Sequence, residues 1–265
     1  MVILIHVLTA ALYAATAWSL WPGERGAGRG SAAAAWLLPL ALATHAAALV
    51  TAIATPRGID LSFPNAVSMV AALCVLVTWA SGFLRNLQGS ATVVLPVAAI
   101  AALLPALFPN PHRFPYAGEH WSAAHIALAL LAYAFLLVAA MTALLMTGLE
   151  KRLHRGQPET SDATPPLLTL ERYLFRLVAA GFVLLTLALV SGVLFSEQVF
   201  GQAFALTHKT VFSILAWLTF GALLLGRWRL GWRGRRAQNW IVAGSAMLVL
   251  AYLGSKFVLE VLLGR

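Results

Sequence analysis

The chain has 265 residues, 61% of them apolar and only 10% charged, with a formal net charge of +9. A soluble domain carries about 25% charged residues, so this composition excludes an ordinary water-soluble fold and points to a polytopic membrane protein. The single cysteine, Cys74, excludes a thiol relay, an internal disulfide and the paired cysteines of covalent haem attachment.

The N-terminus, MVILIHVL, has no basic region and no early small-residue cleavage site, so it reads as a first span rather than a removable signal. A bilayer core takes about 20 apolar residues per helix, and its backbone polar groups must be satisfied within the segment. Eight runs meet that requirement: 2–21, 32–54, 64–84, 91–109, 122–148, 171–195, 207–226 and 238–262. The expected fold is therefore all-α, a transmembrane bundle of about eight helices forming one integral membrane domain over 1–265. Turn and charge signals separate the runs, among them Pro22-Gly23, Pro56-Arg57-Gly58, Pro109 to Gly118 and Arg227 to Arg236. Only the segment GQPETSDATPP, from Gly156 to Pro166, reads as disordered.

Thirteen of the 18 Lys and Arg residues fall in the first, third, fifth and seventh connections or the helix ends beside them. By the positive-inside rule those connections are cytoplasmic and both termini face outward. This placement explains the positive charge by topology and leaves nothing for nucleic acid to bind. Trp18, Trp21, Trp36, Trp121, Trp228 and Trp232 fall near the expected interfaces, as an aromatic belt does.

The same topology sorts the histidines. Only His154 is cytoplasmic; the other six lie at mid-depth or toward the outer side. His45 is roughly 15 Å deep at about 1.5 Å per residue from Pro56. His125 sits about one turn inside the outer end of the fifth run. His208 opens the seventh run at the outer surface. His6, His112 and His120 read as solvated or capping residues. Ionisable groups inside a membrane are rare and mark functional sites by default. A neutral imidazole can ligate iron, and helix bundles hold haem between inward histidines. The other reading of His45 and His125 is an interhelical hydrogen bond that only holds the packing. His45 shares its face with Ala41, Ala48 and Ala52, and His125 shares its face with Ala129 and Tyr133. Such small neighbours allow close helix approach. Acidic residues are too few and scattered for a proton relay. No Walker, Rossmann or zincin motif occurs, so the chain does not read as an enzyme.

Several stretches carry a family resemblance: HIALALLAYAFL from His125, PPLLTLERYLF from Pro165, GFVLLTLALVSG from Gly181 and GWRGRRAQNWIVAG from Gly231, with THAAAL around His45. Together they resemble the cytochrome c assembly protein family, in its YpjD-like inner-membrane branch related to CcsA and HemX. The match spans essentially the whole chain and is densest in 120–265. It implies a multi-pass protein of the bacterial inner membrane that binds or handles haem, haem b as cofactor, and other cytochrome c biogenesis membrane proteins as partners. His45 and His125 are then candidate ligands of the haem iron, with His208 as an outer-side cofactor-binding residue. CcsA-type members carry a tryptophan-rich outer motif, WGxxWxWD, where this chain reads GQAFALTHKT from Gly201. The outer-loop ligands of that motif are therefore not carried over. Two other classes stay open: a small-solute transporter, with helices two and four broken at Pro39, Pro96 or Pro105, and a cofactor-free scaffold for partner membrane proteins.

Overall fold

The computed structural model describes residues 2–20, 27–55, 58–85, 88–109, 120–155, 167–194 and 207–254. These form eight α-helices: α1 (Val2–Ser19), α2 (Ala27–Ile53), α3 (Phe63–Arg85), α4 (Gln88–Leu107), α5 (His120–His154), α6 (Leu167–Leu194), α7 (His208–Leu230) and α8 (Gly234–Val249). A turn of π-helix, Leu250–Gly254, continues α8. The only strands among the described residues are a two-residue antiparallel pairing of β1 (Ala54–Thr55) with β2 (Gly58–Ile59). It lies between α2 and α3.

Seven helices, α1 to α7, are long and apolar enough to cross a membrane. The eighth expected span is described only to Gly254, and its 16-residue α-helix is short of a span by itself. The segment read as disordered, 156–166, lies outside the described residues, as do His112 and the side chain of His120. Outward faces are apolar: Leu4, Trp36 and Ile100 are 73%, 83% and 67% exposed. Such a surface suits lipid and would be a liability in water.

The helices pack as two rings of four. In the first, α1 lies on α2 and α4, and α3 lies on the same two. In the second, α5 and α7 each lie on α6 and α8. Helix α5 also packs on α3 and α4 and so joins the rings. Small residues let the backbones approach: Ala41, Ala48, Ala102, Ala132, Ala139 and Ala143 are all fully buried. Where α6 crosses α5 there is no room even for a methyl group, since a Cβ on Gly181 would stand 2.6 Å from Leu136 Cγ.

Prolines do not break the helices. Pro39 lies within α2, and Pro96 and Pro105 within α4. Proline removes a backbone donor, and the freed carbonyls need another partner inside a membrane. In the turn before Pro105, His6 Nδ1 donates to the Ala102 carbonyl at 2.8 Å. The imidazole thus bridges α1 and α4, one residue beyond Ala101, whose carbonyl Pro105 leaves without an amide donor.

At the basic ends the helices outrun the expected spans. α5 continues through Glu150, Lys151 and Arg152 to His154, and α7 continues through Arg227 to Leu230. Gly231, at φ 65°, then closes α7 with a left-handed cap, and the Gly231 and Trp232 amides both donate to the Gly226 carbonyl. Arg227 reaches back to Glu171 of α6 at 2.8 Å and lies 4.3 Å over the Phe175 ring.

Candidate functional site

Helix α1 carries a polar stripe, His6, Thr9, Tyr13 and Thr16, at spacings of three and four residues, and all four side chains are 0% exposed. Spacings of three and four put all four on one face of the helix. The first ring turns that stripe inward. This overturns the reading of His6 as solvated or capping. Its Nδ1 proton is committed to the Ala102 carbonyl, so the lone pair sits on Nε2, which is buried and has no hydrogen-bond partner. Ligating histidines commonly donate their other ring N–H to a carbonyl in this way. His6 was legible in the sequence as part of the stripe; reading it singly, by its nearness to the chain end, missed it.

His45 lies at the centre of the same ring, fully buried. Its Nδ1 is 3.0 Å from Tyr13 Oη on α1, and its Nε2 is 2.9 Å from Ser68 Oγ on α3. The Tyr13 and His45 rings meet edge to face at 5.5 Å. A neutral imidazole has one donor and one acceptor nitrogen, so one hydroxyl accepts from the ring and the other donates to it. Both nitrogens are thereby used, and three helices are tied through one side chain. Toward the start of α3 the polar seam continues: Asp60 Oδ1 accepts from the Ser62 amide at 2.9 Å, and Asn65 Nδ2 donates to the Asp60 carbonyl at 3.2 Å.

His125 belongs to the second ring and is half-buried. Its Nδ1 is 3.0 Å from Ser191 Oγ on α6, and that hydroxyl donates to the Ala188 carbonyl at 2.9 Å. With that hydroxyl's proton spent on Ala188, the serine oxygen accepts from Nδ1–H. The next residue, Gly192, makes the slot: a Cβ there would come within 3.2 Å of His125 Cε1. The expected common face with Tyr133 is not one site. Eight residues of α-helix turn by about 80° beyond two full revolutions, and Tyr133 Oη instead donates to the Leu248 carbonyl of α8 at 2.8 Å.

The helices carrying His45 and His125 pack on different neighbours, α2 within the first ring and α5 chiefly within the second. His208, first residue of α7, is exposed beside the Thr207 cap. Among the described residues no three His, Cys, Asp or Glu side chains converge on a metal-sized point. The arrangement offers single imidazoles, each held by a hydroxyl or a carbonyl of a neighbouring helix.

Fold and site together define a multi-pass membrane helix bundle with inward imidazoles in both halves. The family profile described as Cytochrome C assembly protein matches residues 34–263, and the chain belongs to that family. The Escherichia coli inner membrane protein YpjD is 33% identical to it, over 84% of this chain and 85% of YpjD. A 28.8 kDa protein of Azospirillum brasilense is 32% identical over 98% of both chains. The cytochrome c biogenesis protein CcsA of Thermosynechococcus vestitus is 25% identical over 62% of this chain and 64% of CcsA. No solved structure matches the chain.

Proposed function

We propose that this protein binds and handles haem in the bacterial inner membrane as part of cytochrome c assembly, with haem b as the bound form. The observation that carries the reading is the cradle at His125: a ring held at Nδ1 by Ser191 and seated closely against Gly192, where a Cβ would crowd it. Haem, when bound, would supply an iron that an imidazole nitrogen can hold. His125 would hold it, and His6 would add a second imidazole whose Nδ1 is committed to Ala102. His45 reaches iron only by giving up its bond to Tyr13 or Ser68, so it serves as a transit contact that opens. His208 stands at the surface as an auxiliary contact. Membership of the family and the likeness to CcsA, named for cytochrome c biogenesis, support the process and the choice of other biogenesis proteins as partners.

The basic ends of α5 and α7 support a cytoplasmic placement of those ends and outward termini. The small-solute transporter reading is weakened by α2 and α4, which run unbroken through their prolines. The test is the absorption spectrum of the detergent-purified protein from haem-replete cells, oxidised and then reduced with dithionite. A strong Soret band with sharp reduced bands, diminished in His125→Ala and in Gly192→Ala, is expected. A flat spectrum at good yield, also after haemin addition, would overturn the proposal.

A further inference from the structure

At the basic end of the second ring, a cleft of about 320 Å³ opens between α5 and α8, lined by Thr147, Glu150, Lys151 and His154 of α5, by Arg155 just after it and by Arg235 of α8. The α5 residues recur at three and four, which stacks them along one face. Lys151 and Arg155 are a like-charged i,i+4 pair, an arrangement that by itself costs about 0.2–0.5 kcal/mol. Neither they nor Arg235 form an ion pair among the described residues. Neighbouring arginines differ. Arg227 is paired with Glu171, Arg229 lies 4.7 Å over Trp228, and Arg236 lies 4.3 Å over Trp232.

The only carboxylate in the lining among the described residues is already engaged. Gln238 of α8, 1% exposed, donates through Nε2 to Glu150 Oε1 at 2.7 Å and accepts at Oε1 from the Thr147 hydroxyl at 2.6 Å. His154 Nδ1 donates to the Glu150 carbonyl at 2.7 Å. Glu150 is thus held against the inner wall by a buried amide, and three cations face the opening. Basic pockets between membrane helices at this level take anionic headgroups.

We propose that this cleft is a phosphate-binding site filled by the phosphodiester headgroup of an anionic membrane lipid. Lys151 and Arg155 hold it from the end of α5 and Arg235 from α8, so the lipid staples the joining helix to the last one. The site is independent of the haem reading and uses none of its residues.

The experiment measures lipid binding by native mass spectrometry of the full chain in detergent, titrated with cardiolipin, phosphatidylglycerol, phosphatidylcholine or inorganic phosphate. Wild type is expected to bind the two anionic lipids at least tenfold more tightly than phosphatidylcholine. Lys151→Gln and Arg235→Gln are each expected to lose that preference by severalfold, and Lys151→Arg to retain it. Arg229→Gln, which removes one positive charge beside Trp228 and outside the cleft, leaves binding unchanged. Inorganic phosphate binding as tightly as the lipids would overturn the headgroup assignment in favour of a free anion. Equal losses in Arg229→Gln and the cleft variants, or no preference over phosphatidylcholine, would overturn the site.

Discussion

Replacing Tyr13 by Phe removes one oxygen and keeps the ring that packs on His45. His45 is 0% exposed, and its Nδ1 has Tyr13 Oη as its partner at 3.0 Å. The substitution therefore leaves a buried polar nitrogen without a bond, a loss of about 1–3 kcal/mol in a water-excluding core. Hydrogen bonds between membrane helices measure lower, about 0.6 kcal/mol on average and about 1.7 at most. Full burial and short distance place this bond at the upper end, and we expect Tyr13→Phe to cost about 1–2 kcal/mol, near a tenfold shift in the unfolding equilibrium. Ser68→Ala removes the partner at Nε2, 2.9 Å away, and is expected to cost a similar amount. The bonds polarise one another through a single imidazole, so the double variant should cost roughly 0.5 kcal/mol less than the sum. Unfolding in dodecylmaltoside micelles with rising dodecyl sulfate, followed by tryptophan fluorescence, measures all three. A Tyr13→Phe protein as stable as wild type to within about 0.2 kcal/mol would refute the clasp, because an interhelical bond this buried cannot be lost silently.

Three further outcomes follow from packing and charge. Gly181→Ala is expected to destabilise by about 1–3 kcal/mol through overpacking against Leu136, whereas Gly148→Ala, where a Cβ meets nothing within 4 Å, should gain up to about 1 kcal/mol; thermal unfolding of both variants checks the contrast. Gly226→Ala would drive a methyl to 2.5 Å from the Trp232 ring, and its expected mark is a shifted tryptophan emission spectrum with the α7–α8 turn displaced. Glu171→Gln removes the partner of a part-exposed Arg227 and should cost about 1 kcal/mol, less at high salt; melting at two ionic strengths measures it.

The spans were legible because apolar length is a property of single segments. Helix ends were not, since apolarity marks where a membrane lies and α5 keeps its hydrogen-bond ladder well past it, to His154. The candidate site was legible only in part. An intramembrane histidine stands out, so His45 and His125 were singled out as candidates, but a sequence does not say what lies opposite each nitrogen. Ser68 and Ser191, unremarkable in their own segments, decide that one ring is closed and the other cradled. His6 shows the converse error: its polar stripe had the helical period, yet its meaning depended on the α4 carbonyl opposite it. The Glu150–Gln238–Thr147 chain joins residues 88 and 91 positions apart, beyond any local pattern.

The first ring closes when α4 comes to rest on α1, so during synthesis it can be complete while α5 to α8 are still on the ribosome. The His45 clasp would then be sealed before the half of the chain that carries His125 exists. On the haem reading proposed above, a cofactor for His45 would have two moments of entry: as the nascent helices gather, or later, by prising apart α1, α2 and α3. Delivery to His125 would wait for α6, whose Ser191 and Gly192 complete its seat. Birth order along the chain would thereby become a loading order for its two halves.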